Sequence, residues 1–174
     1  MEKMNNTQLL HFTDEAGNRK PICAAFYHKV DAAKRISELV ALYKKEPSWA
    51  LSVHYPSFEI MKERFDNSET RRCGVYVDHD VGTICDDQIY IFNKCRGKAV
   101  VKFDPMKACF PVLYMGLGCD MNIHVDGTYC EINIYDGGRL NITTARKGKV
   151  VVYKYADANI VFTDPERVII RDKR

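Results

Sequence analysis

The sequence predicts a mainly β fold of short, repeated strands, with a small α/β part at its N-terminus. Three observations predict it. Within residues 119–171, aliphatic or aromatic pairs two positions apart recur as Ile123/Val125, Ile132/Ile134, Leu140/Ile142, Val150/Val152, Ile160/Phe162 and Val168/Ile170. The first members step by nine, eight, ten, ten and eight residues. The breaks carry turn chemistry, as Asp126-Gly127, Asp136-Gly137-Gly138, Lys147-Gly148 and Asp164-Pro165. Spacing of two puts both members of a pair on one side of a strand, and glycine, aspartate and proline favour the reversals between strands.

Taken in order, residues 8–27 predict a β-hairpin. Two apolar runs flank the turn-like Asp14-Glu15-Ala16-Gly17-Asn18, and Pro21 stands at a strand start. Residues 31–45 predict a helix with Asp31 as N-cap, an apolar stripe of Ile36, Leu39, Val40 and Tyr43, and Pro47 as its stop. Residues 49–55 read as extended, and 56–65 as a second, shorter helix burying Phe58, Met61 and Phe65. The polar run 66–72 is the best boundary, which gives two parts: an α+β cap or head over 1–72, with the hairpin and two helices, and a β-repeat domain over 73–174. Strands are expected at 75–77, 89–92, 99–103 and 111–115, before the regular stretch, with Val81-Gly82-Thr83 as a turn.

Strands recurring about every ten residues fit two architectures. One is a β-solenoid, or β-helix, whose open end is covered by the helical N-terminal part. The alternative is an antiparallel β-sandwich or barrel with two helices, which the Asp-Gly turns favour locally. Short, even units with small inward residues favour the solenoid. The pattern over 74–170 resembles short-rung β-helix proteins. That resemblance concerns architecture only and implies no catalytic residues.

Whole-chain numbers bound the function. The chain has 174 residues, 46% hydrophobic and 28% charged, as in a folded globular protein, and its net charge of +3 is spread without a basic arm. The N-terminus lacks an apolar leader core and no apolar run reaches the roughly 20 residues of a membrane span, so a cytoplasmic location and no membrane partner are expected. Seven cysteines, Cys23, Cys73, Cys85, Cys95, Cys109, Cys119 and Cys130, form no Cys-x-x-Cys pair. From Cys85 onward their gaps of 10, 14, 10 and 11 follow the strand repeat, so they read as small buried side chains and not as a metal or disulfide set. No cofactor fingerprint occurs, and no cofactor or catalytic residue is expected.

The densest reactive cluster is Asp78-His79-Asp80 with Asp86 and Asp87, a set whose residue types suit acid/base or cation chemistry on a carbohydrate substrate if they converge. Strand alternation instead separates His79 from its neighbours. Asn122, His124, Glu131, Asn133 and Asn141 form a polar strip suited to sugar or a divalent ion, or to plain solvation. Lys34, Arg35, Lys44, Lys45, Arg71 and Arg72 would serve a nucleic-acid-binding regulatory protein. Val151, Tyr153, Tyr155, Val161 and Ile169 fall out of phase with the inward pairs and so predict an outward contact row. The reading that best fits is a non-enzymatic structural or binding module. It would work through surface contacts with a protein partner or itself, in an oligomer or larger assembly such as a phage- or mobile-element-encoded one.

Overall fold

A computed structural model describes residues 29, 32–65, 68–85, 88–106 and 109–174, so the hairpin expected at 8–27 and the cap expected at Asp31 lie outside the described residues. The chain divides into two units, Met1–Cys73 and Gly74–Arg174.

In the first unit the described chain forms α1 (Ile36–Tyr43), α2 (Pro47–Ser52), α3 (Phe58–Phe65) and α4 (Ser68–Arg72). Helix α1 begins where Glu38 folds back. Its carboxylate accepts the backbone N–H groups of Lys34 at 2.7 Å and of the N-cap Arg35 at 3.3 Å, and the Arg35 guanidinium at 2.9 Å, which ties the entering chain to the first turn. Residues 49–55, expected to be extended, are helical through Ser52. Pro47 opens α2 at a position where its missing N–H costs nothing, so it starts a helix as well as ending one. Tyr43 packs edge-on to Phe65 at 5.9 Å, and its hydroxyl reaches the Met61 sulfur at 3.7 Å.

The second unit holds β1 (Val75–Val77), β2 (Asp80–Cys85), β3 (Ile89–Asn93), β4 (Arg96–Lys102), β5 (Val112–Met115), β6 (Cys119–Asp126), β7 (Tyr129–Ile134), β8 (Gly138–Ala145), β9 (Lys149–Lys154), β10 (Asn159–Phe162) and β11 (Val168–Asp172). Odd-numbered strands make one six-stranded sheet and even-numbered strands a second of five. Every pairing among them is parallel. The chain therefore winds a β-solenoid of about five turns, each turn laying one strand on each sheet. The sandwich alternative fails on this point. Its Asp-Gly signals are real turns, but they join strands of opposite sheets and close no hairpin.

The first sheet's register, Val75–Ile91–Tyr114–Asn133–Tyr153–Arg171, gives turns of 16, 23, 19, 20 and 18 residues. The long second turn carries the connection between Lys102 and Val112. Corners after β1, β3 and β5 repeat one backbone device, a left-handed residue at Asp78, Lys94 and Gly118 with φ of 47°, 53° and 49°. Strand β2 occupies Val81-Gly82-Thr83, which the sequence reading made a turn. The reversal lies earlier, at Asp78, and β2 then pairs with β4 along its whole length.

Inside, like stacks on like from turn to turn. Met121 lies over Leu140, Ile123 over Ile142, Leu113 over Ile132 and Val152, and all are buried. Coils this close leave no room for Cβ atoms at Gly97, Gly138 and Gly148. A methyl on Gly97, whose φ is +106°, would lie 2.3 Å from the Val81 carbonyl oxygen, and one on Gly138 would lie 2.4 Å from that of Cys119. At β10 and β11, each paired on one side only among the described residues, the inward Ile160 and Phe162 are half-buried and Ile170 is exposed.

Candidate functional site

Parallel stacking turns each outward position into a column running across a sheet, so the two outer faces can be read column by column. On the second sheet one column is Asp80–Arg96–Asp120–Arg139–Asn159, alternating in charge over its first four members, with Asp80 and Arg96 paired at 3.2 Å. The next is Gly82–Lys98–Asn122–Asn141–Val161, where the Asn141 side-chain amide donates to Asn122 Oδ1 at 3.1 Å. The third contains Ile84, Val100, His124 and Thr143, with His124 Nδ1 2.8 Å from the Thr143 hydroxyl.

The first sheet's outer face is different in kind. One column runs Ile89–Val112–Glu131–Val151–Ile169, another Ile91–Tyr114–Asn133–Tyr153–Arg171. Tyr114 of β5 forms a row with Tyr135 and Tyr155, which lie just past the ends of β7 and β9. Tyr135 stacks on Tyr155 at 4.6 Å with planes 8° apart.

The expected contact row is only partly assembled. Tyr153, Tyr155 and Ile169 belong to β9, its end and β11, but Val161 is on β10 and thus on the other sheet. Val151 is 7% exposed and offers no surface, whereas Tyr155 at 41% and Ile169 at 52% do. Tyr153 is half-covered by the cations of Arg171 and Lys173, 5.7 and 5.9 Å over its ring. Strand alternation sets these residues out of phase with the inward pairs, but it could not assign strands to sheets.

The three described members of the acidic cluster do not meet around one point. Asp78 holds a corner, His79 stacks loosely on Tyr76 at 6.3 Å, and Asp80 faces outward against Arg96; Asp86 and Asp87 lie outside the described residues. Among the described residues no three of His, Cys, Asp and Glu are placed to share a metal ion. The polar strip likewise divides, with Asn122, His124 and Asn141 on the second sheet and Glu131 and Asn133 on the first, joined to each other at 2.8 Å. Of the basic set, Arg35 is engaged by Glu38, and Lys44 donates to the Cys73 carbonyl at 2.8 Å.

Cys85, Cys95, Cys119 and Cys130 are buried and form no disulfide, as their repeat spacing implied, but Cys109, expected to be buried with them, is only half-buried because it lies in the long connection outside the strand stack. Burial pushes the Cys119 thiol up to about 12 and that of Cys130 well above its ordinary value, so neither is a ready nucleophile. No helix among the described residues is long and apolar enough to cross a membrane. Neither a family model, nor a curated protein, nor a solved structure matches the chain.

Proposed function

We propose that the chain is a non-enzymatic structural or binding module that acts by surface contact, and that its principal contact is with a second copy of itself at the C-terminal turn of the solenoid. One observation carries this reading. Tyr155, Ile169 and Ile170 are large, apolar and exposed around β11, a strand hydrogen-bonded on one side only among the described residues. An exposed apolar edge strand is a template for pairing with another strand, and two identical edges meet naturally about a two-fold axis. The charged run from Arg171 to Arg174 borders the patch and limits the pairing to a defined length.

Size-exclusion chromatography with light scattering tests it. The unmodified chain is expected to form a dimer or larger assembly that dissociates on dilution. Ile169→Glu, which changes an outward and exposed side chain, is expected to give a monomer that melts within a few degrees of the parent. A strict monomer at every concentration overturns the reading.

A further inference from the structure

The long turn between β4 and β5 does more than lengthen one coil. It brings Phe103 and Phe110 back against Tyr129 of β7, with ring centroids 6.1 Å apart for Phe103 and Phe110 and 5.7 Å for Phe110 and Tyr129. Phe110 stands nearly perpendicular to Tyr129, at 80°. Two phenylalanines exposed this far, at 45% and 55%, serve no purpose in the core. Together with Lys147 and Lys149 they border an open cleft of about 340 Å³, within the range of small-ligand sites.

The two cations of the cleft are not ion-paired: neither Lys147 nor Lys149 has an ion-pair or side-chain hydrogen-bond partner among the described residues, and no carboxylate lines the cleft. Of the acids on the adjoining strands and turns, Asp126 is ion-paired with Arg146, while Glu131 and Asp104 accept from the Asn133 amide and, at 2.9 Å, the Met106 N–H. The backbone places the cations, because Arg146 and Lys147 both adopt left-handed φ at the corner joining β8 to β9.

We propose that this cleft binds a nucleoside phosphate, with the base against the phenylalanine and tyrosine rings and the phosphate between Lys147 and Lys149. Aromatic faces stack on any base, and lysines supply point charges to phosphate. A charged sugar fits less well. Its hydroxyls need paired donors and acceptors, while beside the two lysines the lining side chains offer only the Tyr129 hydroxyl and a Thr128 hydroxyl already donating to the Tyr129 carbonyl at 3.2 Å.

The same chemistry arises from a free nucleotide or from a single strand, and the test separates them. Fluorescence anisotropy of a labelled short oligodeoxythymidylate is measured with the full chain at low salt, with thymidine monophosphate and polygalacturonate as unlabelled competitors. Binding is expected to weaken about tenfold or more in Phe110→Ala. In Lys147→Ala/Lys149→Ala the slope of log affinity against log salt is expected to fall by about 1.4. Phe110 is exposed, so its variant should keep the parent melting curve. Competition by the monophosphate identifies a free nucleotide as a sufficient ligand, and competition by unlabelled strand alone identifies single-stranded nucleic acid. No binding at low salt overturns the proposal. So does binding that the lysine pair weakens but Phe110→Ala leaves unchanged, or equal competition by polygalacturonate.

Discussion

The two sheets of the solenoid are built from the same inward residues and opposite outward ones. Ile132 on the first and Ile142 on the second are interchangeable in kind, both fully buried in one core. Outward, the first sheet carries isoleucine, valine and a stacked tyrosine row, while the second carries alternating charges and paired asparagines. The difference teaches where selection of residue type acts in such a fold. Each inner column has to fill the space left by the coil above and below at close-packed density, which allows few choices. An outer column has only to tolerate its own neighbours, so its chemistry is free to serve contacts.

The strongest way to break that comparison is to show that the two sheets do not share a core. Ile132→Ala and Ile142→Ala each remove most of a fully buried side chain from one interior, and each is expected to cost about 2–5 kcal/mol in urea unfolding. Their costs should agree to within about 1 kcal/mol. A variant that unfolds in a separate transition, or that loses almost nothing, would show the sheets to be independently stable.

A smaller effect distinguishes the outer faces. Tyr135→Ala removes the ring that stacks on Tyr155 at 4.6 Å, a contact worth about 0.5–1.5 kcal/mol beyond the area it covers. Asn141→Ala removes one exposed amide bond to Asn122, worth about 0.5–1 kcal/mol and less where water replaces it. Thermal melts should therefore rank Tyr135→Ala as the more damaging. The reverse order would mean that the polar ladder, and not the aromatic row, braces the solenoid.

How much of this was legible in the sequence follows from the same division. The inward pairs from Ile123 to Phe162 announced themselves because core packing imposes a strict period of two within strands and a near-constant step between them. The spacing of the cysteines carried the same signal. Val81-Gly82-Thr83 was misread because glycine in a strand looks like a turn until its partner Lys98 is known. Sheet membership was invisible: Tyr153 and Val161 share outward phase, yet lie on different sheets, and only strand order separates them. The aromatic cleft was missed for a similar reason. Phe103, Phe110 and Tyr129 come together only because one turn is 23 residues long and the next 19, and no local pattern encodes that excess.

The smallest expected effect concerns charge at the end of the central strand of the second sheet. At the end of β6 the Arg146 guanidinium hydrogen-bonds the Asp126 carboxylate and holds its carboxyl below the ordinary 3.8. A carboxyl whose folded value lies below its unfolded one contributes stability that is complete above the unfolded value. That contribution disappears as pH falls through the folded value. Asp126→Asn lacks this titration, so the melting temperature of the parent should exceed that of the variant by a constant small margin above about pH 5, and the margin should shrink as the solution is taken below pH 4. Because Arg146 is mostly exposed, added salt should reduce the margin at neutral pH as well. A margin that ignores both acid and salt would mean that Asp126 acts through the shape of the Gly127 corner and not through its charge. The polar face of the second sheet would then be as much a product of backbone constraint as the interior it covers.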